Sequence, residues 1–341
     1  MKNTRQYDLV TMGEIMLRLS PQYGERLVRG GALNRMAGSA ELNVAAGCAI
    51  LGLDTAIITG LPGNDMGICI QNDVKSCGVD TRLIITDSAP DARLGVYYYE
   101  GGASPRKPKV IYDRLNASVN KLKPEDIPGY VFSSTRCFHT SGITLALSDN
   151  LRETAIYAIK RFKEEGARIS FDVNYRANLW SGEQAQRTIE QILPYVDYFF
   201  CSEDTARLTF QKTGSLQDIM KSFAVEYPIS VMASTQRTVH SPHLHSFGST
   251  VYDARTQTFF QEPPYENIEI MDRLGSGDAY LAGALYGLLS EGGNCRKALE
   301  YANAASATKN TTMGDLPTSV LRELDSIIRG HHSSVNYEMD R

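Results

Sequence analysis

A carboxylate inside a glycine-rich turn is an odd neighbour for an anion, and residues 272–280, Asp-Arg-Leu-Gly-Ser-Gly-Asp-Ala-Tyr, contain one. A strand-like stretch over 266–271 leads into the turn, and a small-residue helix, AYLAGALYGLLS, follows it. Gly275 and Gly277 let the backbone bend sharply and approach a ligand closely. The helix start adds unpaired N–H groups and the positive end of its dipole, which suit an anion. Asp278 would repel a phosphate it merely held. It makes sense as a base that takes a proton from a hydroxyl while the turn stabilises a phosphoryl group in transfer. The plainer alternative is an ordinary helix start with Asp in its first turn. The pattern is not G-x-G-x-x-G, because Tyr280 stands at the third glycine, and no G-x-x-x-x-G-K-[ST], H-R-D or D-F-G occurs. The common dinucleotide, P-loop and protein-kinase readings therefore lose ground.

Other residue groups carry less. His240, His243 and His245 form H-x-x-H-x-H, a zinc-capable spacing, but no thiol or carboxylate lies in the same run to complete a tetrahedral set. We read them as part of a polar surface loop. Six cysteines, at 48, 69, 77, 137, 201 and 295, show no C-x-x-C spacing and read as reduced thiols of a cytoplasmic protein. Trp180 reads as packing. With 42% apolar and 22% charged residues the chain can bury a large core, which excludes disorder. A net charge of −4 argues against a broad nucleic-acid surface, though not against a local basic pocket. No run of about 18 apolar residues exists, so no membrane span is expected. The first residues lack the apolar core of a secretory signal.

The elements that must position the turn alternate. Strands are expected over 7–12, 55–59, 169–173, 198–201 and 229–232. Helices are expected over 40–51, 66–77, 183–193, 216–226, 279–289, 296–308 and 319–329. Strands and helices in this rhythm predict a parallel sheet covered on both faces. Two stretches, 17–36 and 94–113, lack helical periodicity and carry β-type residues, predicting a small sheet that stands off the main one. The tail from Gly330 is polar and expected to fray.

The 272–280 segment resembles the C-terminal signature of the ribokinase-like (PfkB) carbohydrate kinases, D-T-x-G-A-G-D-[AS]-F. The family's N-terminal signature is matched by Gly38-Ser-Ala-Glu-Leu-Asn43-Val-Ala, then Leu51-Gly52, then Gly60-Leu-Pro-Gly63-Asn-Asp65-Met-Gly67. The resemblance spans roughly residues 8–330. It implies an α/β fold, a ribokinase-like three-layer α/β/α sandwich over 1–330, with a β-sheet lid from about 14–37 and 93–114 and a flexible tail over 331–341. Within the family the chain is most similar to 2-keto-3-deoxygluconate kinases, through MGEIMLRLSP at 12–21, LGVYYYEGGASPRKPKVIYDR at 94–114, FHTSGITLALS at 138–148 and FDVNYRANLW at 171–180.

The resemblance then implies roles. Asp278 takes the proton of the 6-hydroxyl, which attacks the γ-phosphate of ATP, giving 2-keto-3-deoxy-6-phosphogluconate and ADP. The N–H groups of Gly275, Ser276 and Gly277 stabilise the transferring group, with Mg²⁺ on the nucleotide. Sugar contacts are expected from Ser39, Asn43, Tyr97, Tyr112, Arg114 and Arg176, a set suited to an acid because Arg holds a carboxylate in two bonds. Arg18 is a further, weaker candidate. Nucleotide contacts are expected from Ser202, Gln236, Arg237, Thr238, Gly275, Gly277 and Asn303. Ser202-Glu-Asp-Thr205 stands where the family's N-x-x-E motif organises magnesium waters, a role left to Glu203 or Asp204. Asp272 is a candidate member of a potassium site. The lid implies a homodimer. Ser39 replaces the second glycine of the usual pair, which puts hinge bending there in question. The alternatives are a kinase of another sugar, of fructokinase or ribokinase type, and a non-catalytic sugar-binding regulator.

Overall fold

The computed structural model describes residues 5–290 and 292–333. Its strands, in chain order, are β1 (Tyr7–Met12), β2 (Met16–Ser20), β3 (Asn34–Gly38), β4 (Thr55–Pro62), β5 (Ile84–Asp87), β6 (Gly95–Glu100), β7 (Lys109–Asp113), β8 (Thr135–Ser141), β9 (Arg168–Asp172), β10 (Tyr198–Phe200), β11 (Val231–Ser241), β12 (Leu244–Asp253), β13 (Thr258–Phe260) and β14 (Tyr265–Glu269). The helices are α1 (Ala40–Ile50), α2 (Asp65–Ser76), α3 (Tyr130–Ser133), α4 (Gly142–Leu147), α5 (Asp149–Glu164), α6 (Gly182–Glu190), α7 (Glu203–Phe210), α8 (Leu216–Glu226), α9 (Ser276–Ser290), α10 (Cys295–Lys309) and α11 (Leu321–Ser333).

The main sheet runs β13-β12-β11-β10-β9-β8-β1-β4-β5, with β14 beside β12. From β5 to β11 every pairing is parallel. Strands buried on both faces read as continuous apolar runs, and β4 (TAIITGLP) is buried at all eight positions. Successive side chains point to opposite faces. Val10 and Phe138 join Phe162, Phe171 and Phe223 on one side. Leu9 and Cys137 join Tyr280, Leu285 and Ala302 on the other. The second side is closed by α9 and α10, which approach so tightly that a Cβ on Gly283 would lie 2.4 Å from the Tyr301 carbonyl oxygen.

The lid is a separate sheet of order β3-β2-β6-β7. β2 follows directly from β1, and β3 runs straight into α1. The lid therefore hangs over the carboxyl ends of the central strands, where ligands of open α/β sheets bind.

The structure redraws several expected elements. β4 does not stop at Gly60, because Gly60, Leu61 and Pro62 pair with Ile85, Thr86 and Asp87. The segment read as a polar histidine loop is a long hairpin. Its outer strand is exposed from Gln236 onward and shows no burial pattern, yet register with β12 holds it extended. The segment 135–164, left unassigned above, carries β8, α4 and the amphipathic α5. The first residues of the expected tail are ordered: α11 continues to Ser333, with His331 stacked on Tyr265 at 3.9 Å and bonded to the Pro263 carbonyl. The rest of that tail, 334–341, lies outside the described residues. None of the described helices is long and apolar enough to cross a membrane.

Candidate active site

The turn before α9 can be built only with glycine at 275. Its φ is +79°, and a Cβ there would lie 1.9 Å from the Asp315 carbonyl oxygen. The turn presents Asp278 from the first helical turn of α9 toward α1. There Asn43 donates from Nδ2 to Asp278 Oδ2 at 2.6 Å. α1 is started by Ser39, whose Oγ accepts from Leu42 N at 3.2 Å. Ser39 has φ −175°, extended backbone open to any residue, so the missing second glycine imposes no strain. Burial pushes the Asp278 carboxyl up to about 8; the Asn43 bond opposes this, Asp172 adds to it, Arg176 opposes and Asp315 adds.

Ser39, Asn43, Tyr97, Tyr112, Arg114 and Arg176 line one pocket with Gly275 and Asp278. Residues separated by more than 200 positions thus converge. The two arginines differ in state. Arg114 is ion-paired with Glu14, and burial pushes the Glu14 carboxyl up to about 7 against that pairing. Arg176 is exposed and, among the described residues, donates only to the Tyr175 carbonyl, at 3.1 Å, leaving its remaining donors for a ligand. Tyr97 is buried and donates to Asp315. Five polar or charged lining residues were not expected: Glu14, Glu41, Asn174, Asn178 and Asp315. Asn174 and Asn178 lie inside the FDVNYRANLW stretch, so a signal existed. Asp315 gave none, since its contacts to Arg18 and Tyr97 span 297 and 218 positions.

A second cleft continues past Gly277, lined by Asp172, Ser202, Thr205 and Thr235. Ser202 caps α7, accepting from Thr205 N at 3.2 Å. Burial pushes Asp172 up to about 7, and it has no ion-pair partner among the described residues. Several expectations are corrected here. Glu203 is not turned to this cleft, because Arg207 takes its carboxylate, Nε to Oε1 at 3.0 Å; Asp172 supplies the acidic wall instead. Asn303 is fully buried, accepting from Ser249 Oγ and donating to Glu262, both at 2.7 Å, so its amide braces the wall and does not face a ligand. Ser276 spends its N–H on the Arg273 carbonyl (3.3 Å) and its hydroxyl on Ser306 (2.9 Å). That leaves the N–H groups of Gly277 and Asp278 as the donors of the first helical turn. Gln236, Arg237 and Thr238 stand farther along β11, exposed and outside the linings of both clefts.

Asp272 also departs from expectation. Its carboxylate pairs with Arg18 Nη2 at 2.6 Å, both side chains having no exposure, and accepts from the N–H groups of Leu274 (3.1 Å) and Gly314 (3.2 Å). Arg18 is therefore a buried tie and not a sugar contact. A further monovalent cation does not fit these residues. The three histidines also part ways: His240 bonds Ser246, His243 reaches the Ile270 carbonyl, and His245 is buried in β12. Among the described residues no group of three or more His, Cys, Asp or Glu side chains could hold a metal ion. A divalent ion would come with the nucleotide, with phosphate oxygens among its ligands.

Comparison with known proteins agrees with this geometry. The model of the pfkB family carbohydrate kinases matches residues 6–319. The 2-dehydro-3-deoxygalactonokinase of Haloferax volcanii is 33% identical over 329 residues, 96% of this chain and 99% of that protein. The crystal structure of the 2-dehydro-3-deoxygluconokinase of Thermotoga maritima superposes with a TM-score of 0.88 at 32% identity, covering 94% of this chain and 99% of that one. A PfkB family carbohydrate kinase from Listeria grayi gives the same TM-score and coverage at 33% identity.

Proposed function

The chain belongs to the PfkB family of carbohydrate kinases, and on that premise we propose that it transfers the γ-phosphoryl group of ATP to the 6-hydroxyl of 2-keto-3-deoxygluconate. One observation carries the choice of an acid: Arg176, in the same pocket as Asp278, forms no salt bridge among the described residues, Asp278 and Asp172 acting on it only at longer range. An open guanidinium beside a base suits a substrate bearing a carboxylate at one end and a primary alcohol at the other. The names of the relatives, one a galactonate-type and one a gluconate-type kinase, support a 2-keto-3-deoxy sugar acid.

In this reading Arg176 grips the acid group, and Tyr112 and Ser39 offer hydroxyls to the sugar. Asn43 holds Asp278 in place by its 2.6 Å bond. Asp278 accepts the proton of the attacking hydroxyl, and the N–H groups of Gly277 and Asp278 face the charge on the transferring group. Asp172, Ser202 and Thr205 would hold the magnesium–nucleotide end; the unpaired Asp172 carboxylate in that cleft is the fitting donor. Magnesium, when bound, neutralises phosphate charge. The lid excludes water from this chemistry. We further propose that a second copy covers the lid's outer surface, where Val28, Leu33 and Ile111 are exposed. A cytoplasmic setting accords with six unpaired cysteines.

The test is a kinetic panel: the gluconate-type and galactonate-type keto-deoxy acids, fructose and ribose, each with ATP, for the wild type and Arg176→Ala. The gluconate-type acid should give the highest kcat/KM. The variant should lose about 100-fold on acids, through KM, and little on neutral sugars. A preference for neutral sugars in the wild type would refute the reading.

A further inference from the structure

Lys309 ends α10 and is 2% exposed. Among the described residues no carboxylate bonds it. Its ammonium donates to two main-chain carbonyls, Asp272 O at 3.2 Å and Thr312 O at 3.3 Å. Those carbonyls belong to the two segments that frame the catalytic turn. One is the turn's own first residue. The other begins the loop whose Asp315 carbonyl crowds Gly275. The same segments are stitched by Met271 N to Asn310 O (2.8 Å) and by Gly314 N to the Asp272 carboxylate.

Two cations, Arg18 and Lys309, face two carboxylates in this buried region, Asp272 and Asp315, both bound to Arg18; burial works against the Lys309 ammonium and these carboxylates favour it. Carbonyl oxygens gathered on a buried positive charge form the kind of donor set that a hard monovalent cation takes. Here a covalently attached ammonium already fills it. A free cation added beside it would leave the site with an uncompensated charge.

We propose that the Lys309 ammonium stands in for a monovalent cation, holding the Asp272–Gly275 turn against the 310–315 loop, so that phosphoryl transfer requires no potassium. Lys309 is a positioning residue: it touches neither sugar nor nucleotide and acts through the amides of the turn. The inference rests on the kinase reading for its activity arm and on the geometry alone for its stability arm.

The full-length protein, prepared free of potassium and ammonium, is assayed with ATP and whichever sugar acid the wild type phosphorylates. KCl, NH₄Cl and tetramethylammonium chloride are compared at equal ionic strength, and thermal midpoints are recorded in the same salts without substrate. Wild-type turnover and midpoint should be the same in all three. Lys309→Ala should lose at least about tenfold in turnover, as for a missing charge-assisted bond. Potassium or ammonium, but not tetramethylammonium, should restore the variant's turnover and raise its midpoint. Lys309→Gln, uncharged but of similar length, carries the same test if the alanine variant does not fold, and circular dichroism decides which is used. Potassium activation of the wild type would overturn the proposal. So would full turnover of the folded variant without added cation, or its indifference to potassium and ammonium in both measurements. If no sugar is phosphorylated the functional reading fails, and the midpoints still judge this one.

Discussion

Asp278 meets two opposing demands. Burial and the neighbouring Asp172 raise its carboxyl to about 8, while the base must act deprotonated. The kcat/KM of the kinase should therefore rise with pH up to about 8, as a joint titration of Asp278 and Asp172. Asn43→Ala removes the hydrogen bond that lowers the Asp278 value, so the ascending limb should move to higher pH. A limb that stays in place would detach Asn43 from the base. Asp278→Asn should cost about 10²–10⁴ in kcat with sugar binding kept, as seen by turnover and by calorimetric titration of the sugar. The same burial sets the sign of a stability effect. Asp278 holds its proton to about pH 8 when folded, against an ordinary value of 3.8. The native state thus binds more protons than the unfolded one across that interval, and its contribution to stability is lost as pH rises through it. The thermal midpoint of the ligand-free protein should fall between pH 5 and 8.5, and fall less in Asp278→Asn.

Elements hold the site through a few long-range ties. Arg18 on β2 joins the lid to the catalytic turn through Asp272 and to the 310–315 loop through Asp315, and its guanidinium lies 4.4 Å from the Tyr99 ring centre. Removing one member of a buried charge cluster strands the others, so Arg18→Ala should cost about 3–5 kcal/mol. Chemical denaturation would measure this, and an unchanged midpoint would make the lid independent of the turn. Gly275→Ala meets both a positive φ, costing about 1–3 kcal/mol, and the Asp315 carbonyl. It should displace the turn and depress kcat far more than KM.

For the whole molecule, the proposed second copy meets the lid. The lid's inner face lines the pocket through Tyr97 and its cross-strand neighbour Tyr112, whereas Ile111, at 43% exposure, points to the outer face, and Val28 and Leu33 are exposed in the β2–β3 connection. Apolar side chains exposed together on the lid suit a second, two-fold related copy. Light scattering should therefore report a dimer, and Ile111→Lys should shift it to monomer while Asp278 keeps its partners. A wild-type monomer at assay concentration would remove the second copy from the reading.

Local pattern was enough for much of this. The apolar runs of β1 and β4, the Ala-rich α1 and the two glycine signatures follow from short stretches of chain, because propensity, turn chemistry and strand burial act over a few residues. The pocket set from Ser39 to Arg176 came from resemblance, and the structure gathers all six. What the chain order could not reveal is how charges are paired. Arg114 is committed to Glu14 and Arg176 is open; Asn303 is spent on Ser249 and Glu262; Glu203 on Arg207; Asp272 on Arg18. Apart from Glu203–Arg207, which are four residues apart on α7, each of these pairings joins side chains distant in the chain at a buried polar group. Only the packed tertiary structure, where every such group must find a partner, decides that.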